Sequence, residues 1–142
     1  MILGKDQKED VARRIDFIRI QLKDLEQFKG LEWKTYSEDR NLQRNVERLV
    51  ENVANASIDI CKIMLVGEDI ELPNSYKEII FKLGEVRVLT PELAKKVAEY
   101  AGLRNFLAHQ YLDLRWEKIK AFIKDAPRDF NGFISSLLKK LH

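Results

Sequence analysis

Leu42, Val46, Leu49, Val53, Ala56, Ile60 and Ile63 recur in steps of four and three. This spacing sets the seven side chains on one stripe of a single α-helix about six turns long. A helix of that length with one apolar face must be covered by other elements, and the rest of the chain offers helices for the purpose. Val11, Ile15, Ile18, Leu22 and Leu25 step by four and three as well, with Gly30 placed to stop that helix. Ser37 can cap the long helix, Glu38 and Asp39 suit its positive end, and Gly67 closes it. A shorter helix fits Ser75 to Leu83, after Pro73 and before Gly84. Thr90-Pro91-Glu92 is a helix start of cap, first-turn proline and acid, for a helix that runs to about His109. Asp113 can cap a further helix with Trp116, Ile119, Ala121, Phe122 and Ile123 on its apolar face. Pro127 is expected to break or restart it before Leu137, Leu138 and Leu141. No stretch alternates long enough for a strand. The expectation is an all-α, up-and-down bundle of about five to six helices in one domain over 1–142.

With 142 residues the chain can bury roughly 70% of its unfolded surface, enough to fold without a metal or a disulfide. Its single cysteine, Cys61, excludes an intrachain disulfide and a cysteine-built metal centre, and is read as a core thiol. No apolar run reaches the roughly 18 residues of a membrane span, and the N-terminus turns charged after Leu3, so a soluble, cytoplasmic protein is expected. The net charge of +2 demands no nucleic-acid partner, but it is unevenly spread. Residues 1–71 carry 12 Lys/Arg against 15 Asp/Glu, and residues 72–142 carry 13 against 8. A polyanion would prefer the second half. Phosphate-binding glycine loops, GxSxG and HExxH are all absent.

The unusual stretch is Leu103 to Tyr111. On a helical wheel Leu93, Val97, Tyr100, Arg104, Leu107 and Tyr111 form one stripe, so Arg104 stands where an apolar residue is expected. A second face carries Ala94, Ala98, Ala101, Gly102, Asn105 and His109, small enough for another helix or a ligand to approach closely. Gly102 costs about 1 kcal/mol in a helix interior and is best understood if something packs on it. One bland reading has Arg104 snorkelling or paired with a carboxylate and His109 serving the helix dipole. The other is chemical. Histidine can move a proton near neutral pH, and the guanidinium fork fits phosphate oxygens. Together they suit metal-free RNA cleavage, in which the ribose 2′-hydroxyl attacks the adjacent phosphate and Arg offsets the developing charge. One histidine cannot easily serve both ends of that reaction; two copies about a twofold axis could. His142, the other histidine, reads as a surface tail.

The string Arg104-Asn105-Phe106-Leu107-Ala108-His109-Gln110-Tyr111 resembles the RNxLxHxY signature of the HEPN superfamily, and most closely its HepT-like toxin branch. Asp39-Arg40-Asn41-Leu42-Gln43, Ala54 to Ile63, Pro73 to Glu78 and Asp129 to Phe133 are similar to further blocks of that branch, in the same order. Gln110 stands where many relatives have a charged residue between His and Tyr. The resemblance implies a homodimeric helical bundle that sets two such motifs in one cleft. It implies a metal-independent endoribonuclease, the toxin of a toxin–antitoxin pair, acting on an RNA such as tRNA or mRNA without a cofactor. It implies a minimal nucleotidyltransferase antitoxin as partner. Carried over by residue, Arg104 would hold the scissile phosphate, His109 would transfer protons, Asn105 would orient the site and Tyr111 would accept AMP. Asp39, Arg40 and Gln43 would line the cleft or simply form a solvated helix start. A non-catalytic nucleotide-binding or docking module for a nucleotidyltransferase stays open beside the nuclease reading, and the near-neutral charge suits it. Trp33 is expected to cover the bundle end or a dimer contact, and Trp116 and Phe122 to be core. Lys118, Lys120, Lys124 and Arg128 form a basic run, read by default as a solvated face.

Overall fold

A computed structural model describes residues 3–141, so His142 lies outside the described residues. The described residues form six α-helices: α1 (Lys5–Leu25), α2 (Trp33–Glu38), α3 (Arg40–Gly67), α4 (Tyr76–Glu85), α5 (Pro91–His109) and α6 (Leu112–Leu141). There is no strand among the described residues. Nor is any helix there long and apolar enough to cross a membrane.

α3 is the axis of the bundle. α1 packs along one side of it, α4 and α5 along another, and α2 and α6 touch it as well. Consequently its burial exceeds the single stripe expected from spacing. Val46, Val53, Ala56 and Ile60 are buried as foreseen. Val50, Ser57, Ile58, Cys61, Met64 and Leu65 are buried too, because neighbours reach α3 from more than one direction and leave only a narrow stripe through Arg48, Asn55 and Lys62 exposed. Ser57 meets this by donating to the Val53 carbonyl at 2.7 Å. Cys61 is fully buried, and loss of water pushes its thiol well above the ordinary range.

The helix starts follow local chemistry. The Asp39 carboxylate accepts from the Leu42 N–H at 3.0 Å, Ser75 Oγ from the Glu78 N–H at 3.2 Å, and Thr90 Oγ1 from the Leu93 N–H at 3.2 Å. Asp39, rather than Ser37, therefore caps α3. Ser37 belongs to α2, a short helix the spacing did not announce, and its hydroxyl donates to the Lys34 carbonyl. α1 ends at Leu25 and continues as a 3₁₀ turn over Glu26–Phe28; Gly30, at φ +80°, then supplies the left-handed residue. Gly67 is only the last residue of α3. The left-handed conformation that follows falls on Asp69 instead.

Two expectations about α6 are corrected. Asp113 sits inside the first turn, where its charge favours the dipole. The first carbonyl acceptor is that of Tyr111, bonded by the Arg115 N–H at 2.9 Å. Pro127 neither breaks nor restarts the helix, which continues from Leu112 to Leu141. Ala126, Phe130, Phe133, Ile134 and Leu137 are buried around it, so packing on both sides of the proline carries the helix across the missing hydrogen bond. Tyr100 anchors this half of α6: its hydroxyl donates to the buried Asp129 carboxylate, and its ring meets Phe122 edge-on with centroids 5.4 Å apart. Trp116 and Phe122 are core, as expected. Trp33 covers the bundle end, with its ring 6.3 Å from Tyr36 and 6.4 Å from Trp116.

Pro127→Ala should restore the lost helical donor with no change of fold. We expect stabilisation of about 1 kcal/mol or more, read as a rise of a few degrees in the thermal midpoint. An unchanged or lowered midpoint would mean that the proline's restriction of the unfolded chain outweighs the missing bond.

Candidate active site

α5 is positioned by the small residues on its inner face. Ala94, Ala98 and Ala101 are buried, and a Cβ built on Gly84 of α4 would lie 3.0 Å from that of Ala94. The close approach foreseen for this face is thus made by a neighbouring helix of the same chain. Gly102 serves the same end one turn later. A Cβ there would come within 3.0 Å of the Tyr76 hydroxyl, so its absence lets the Tyr76 ring lie against α5.

Tyr76 in turn supports Arg104. The Arg104 guanidinium carbon is 5.4 Å from the Tyr76 ring centroid, and Nη1 donates to Asn55 Oδ1 of α3 at 3.0 Å. Nε is shielded from solvent and has no hydrogen-bond partner. Among the described residues no carboxylate pairs with Arg104. Its apolar-stripe position holds the side chain half-buried between an aromatic face and a neutral amide. Its positive charge is left uncompensated, and Nη2, unlike the shielded Nε, has no hydrogen-bond partner among the described residues and is open to solvent. A permanently charged fork in that condition is ready for an oxyanion such as a phosphate.

Asn105 and His109 stand one turn apart on the exposed side of α5, with His109 as its last residue. Tyr111 does not continue the Leu93–Leu107 stripe. Gln110 is extended (φ −99°, ψ 159°), which ends the helix and leaves Tyr111 82% exposed, just beyond it. This turn is fastened from below. Arg115 Nη1 donates to the Gln110 carbonyl at 3.5 Å, and Arg115 Nε lies 3.4 Å from Glu47 Oε1. Glu47 Oε2 accepts from the buried Tyr36 hydroxyl at 2.8 Å. Desolvation raises the Glu47 carboxyl above its ordinary value despite the favourable Tyr36 and Arg115 contacts. Burial and the adjacent carboxylate likewise push the Tyr36 hydroxyl well up.

The remaining candidates separate. Asp39 is spent as the α3 cap. Gln43 is buried and donates to the Tyr36 carbonyl at 2.7 Å, so it secures α2 and is not free to line a cleft. Arg40 is exposed. In the basic run, Lys120 lies 3.6 Å from Glu117 and Arg128 3.5 Å from Asp129, leaving Lys118 and Lys124 without such a partner among the described residues. Sequence reasoning missed Asn55, Tyr76 as the support of Arg104, and the Glu47–Arg115 pair. The available signal for Asn55 was a polar residue one position from the apolar stripe of α3. The others become visible only through contacts between helices.

Comparison with known proteins adds a second line of evidence. The family model "Ribonuclease HepT-like" matches residues 18–137. A tRNA nuclease HepT of Aphanizomenon flos-aquae is 34% identical over 106 residues, covering 73% of this chain and 71% of the relative. An mRNA nuclease HepT of Shewanella oneidensis is 23% identical over 124 residues, covering 87% and 92%. Among solved structures, a mutant MntA–HepT toxin–antitoxin crystal structure superposes with a TM-score of 0.82 at 22% identity, covering 92% of this chain and 98% of that one. A tri-AMPylated Shewanella oneidensis HEPN toxin in complex with MNT antitoxin gives 0.82 at 21% identity, covering 96% and 99%.

Arg115→Ala should cost about 2 kcal/mol of stability in a urea titration, because it strands the half-buried Glu47 charge and frees the Gln110 carbonyl. Adding Glu47→Gln should recover part of that loss. A double variant as unstable as the sum of the singles would show that the pair does not act as a unit.

Proposed function

The chain belongs to the HepT-like ribonuclease family, and on that premise we propose that it is a metal-independent RNA endonuclease, the toxin of a toxin–antitoxin pair. The observation that carries this reading is the state of Arg104: half-buried, held by Asn55 and Tyr76, without a carboxylate, on the helix that ends in the exposed His109. A merely structural arginine at the edge of a core would be expected to reach a carboxylate or water with all its donors.

In the proposed reaction the RNA 2′-hydroxyl loses its proton to a base as its oxygen attacks the adjacent phosphorus. The bond from phosphorus to the 5′-oxygen breaks, that oxygen takes a proton from an acid, and a cyclic phosphate remains. Arg104 binds the non-bridging oxygens, where charge builds up. His109 moves a proton. A second copy of the chain, related by a twofold axis, supplies the second histidine, so the working unit is a homodimer. Asn105, one turn before His109 on the same exposed face, orients the strand. The single domain acts in the cytoplasm.

Silencing falls to Tyr111. The nucleotidyltransferase antitoxin transfers AMP to it: the phenolic oxygen attacks the α-phosphorus of ATP, pyrophosphate leaves and the phenolic proton is lost to water. Its 82% exposure supports this assignment, since an enzyme must reach the oxygen. The added phosphates place negative charge beside the His109 end of α5 and repel an RNA backbone.

Expression of the chain without its antitoxin should arrest growth, and the purified protein should cut RNA with no divalent ion present. His109→Ala and Arg104→Ala should each reduce cleavage at least about a hundredfold while leaving the thermal midpoint within a few degrees. Folded variants that cut as well as the wild type would overturn the assignment. RNA left intact by the wild type, with the antitoxin still bound, would favour the non-catalytic docking module. Co-expression with an active nucleotidyltransferase should add mass in adenylate steps that map to Tyr111 and vanish in Tyr111→Phe. Adducts that persist in that variant would place the acceptor elsewhere.

A further inference from the structure

We propose that the groove between α4, α5 and α6 is a second contact for the RNA strand, taking a base and its flanking phosphates beside the Arg104 site. The inference rests on the ribonuclease reading and adds a subsite to it. The groove encloses about 560 Å³ and is walled by Tyr76, Phe81 and Phe106, with Lys77, Lys95 and Lys118 along it. Phe81 is 43% exposed, which is unusual for a phenylalanine with no visible partner. Lys118 Nζ sits 5.6 Å from the Phe106 ring centroid, so cation and aromatic face are presented together. Lys77, Lys95 and Lys118 have no carboxylate within pairing distance among the described residues. Lys96, which also lines the groove, lies 4.0 Å from Asp129.

One exposed ring, Phe81, and two half-buried ones, Tyr76 and Phe106, interleaved with unpaired ammonium groups match a ligand that alternates π-faces with phosphates, which is a single-stranded nucleic acid. Glu99 and Asp125 also line the groove, where their carboxylates can accept from the amino group of a base. Position decides the matter. The Tyr76 ring that supports Arg104 is itself a wall of the groove, so a strand whose phosphate sits on Arg104 is already at the mouth. Gly102, also in the wall, keeps Tyr76 down and the two sites continuous.

The test uses the full-length chain carrying His109→Ala, so that RNA is bound and not consumed, with a fluorescent unstructured RNA oligonucleotide read by anisotropy over a salt series. Lys77, Phe81, Lys95 and Lys118 are all exposed, so their replacement should leave the fold intact. The triple variant Lys77→Ala/Lys95→Ala/Lys118→Ala should raise Kd about tenfold and flatten the log–log salt slope by about two, given roughly 0.7 per neutralised phosphate of a single strand. Phe81→Ala should raise Kd about fivefold with the slope unchanged. With His109 restored, the triple variant should raise KM for RNA and leave kcat unchanged. Unaltered Kd and slope, in a protein whose binding is weakened by Arg104→Ala, would overturn the subsite alone. Lost antitoxin binding with RNA affinity intact would overturn it too, and make the groove a protein contact. A wild type that neither binds nor cuts RNA would overturn the ribonuclease reading itself.

Discussion

The covering of α3 from several directions is the constraint on which the rest of the molecule depends. A helix whose middle buries Val50, Val53, Ile60, Cys61 and Met64 cannot stand in water, and α1, α4 and α5 exist as packed elements because they close it. α3 also carries polar residues at the edges of that burial, and these do the local fastening. Asn55 holds Arg104 of α5, and Glu47 holds Tyr36 of α2 and Arg115 of α6. The apolar faces of α3 set where its neighbours lie, and its polar edges set the rotation of the residues that matter for chemistry.

The arrangement around Arg104 shows how a half-buried charge is tolerated without being neutralised. A carboxylate at that point would stabilise the guanidinium and occupy the donors that an oxyanion needs. An aromatic face and an amide oxygen leave the net charge in place. The cost of holding a partly desolvated cation there is met by the packing of α5 on α4, where Gly84 and Gly102 allow an approach that a Cβ would crowd, at 3.0 Å from Ala94 and from the Tyr76 hydroxyl.

Much of this was legible in the residue order, for physical reasons that differ by element. The long helices follow from apolar spacing, which records burial directly, and the α4 and α5 starts from Ser75 and Thr90, whose caps are local. The failures share a cause. α2 is too short to show a period, and its existence depends on Tyr36 finding Glu47 and Trp116. Pro127 carries a strong local signal for a break, overruled by the core on either side of it. Arg104, Asn105, His109 and Tyr111 were singled out from the RNFLAHQY string, and Arg104 by its intrusion into an apolar stripe. The wheel nevertheless placed Tyr111 on that stripe, because nothing in the spacing reveals that Gln110 turns extended. Asn55, Tyr76 and Arg115 support the site from other helices, at separations no local pattern spans.

That extended residue has a further consequence. Tyr111 hangs in solvent from a turn whose own fastening, Arg115 on Glu47, lies beneath it and does not involve the phenol. A bulky group attached to its oxygen would displace water rather than core atoms. Modification there would leave the packed core as it is and change what can approach the end of α5.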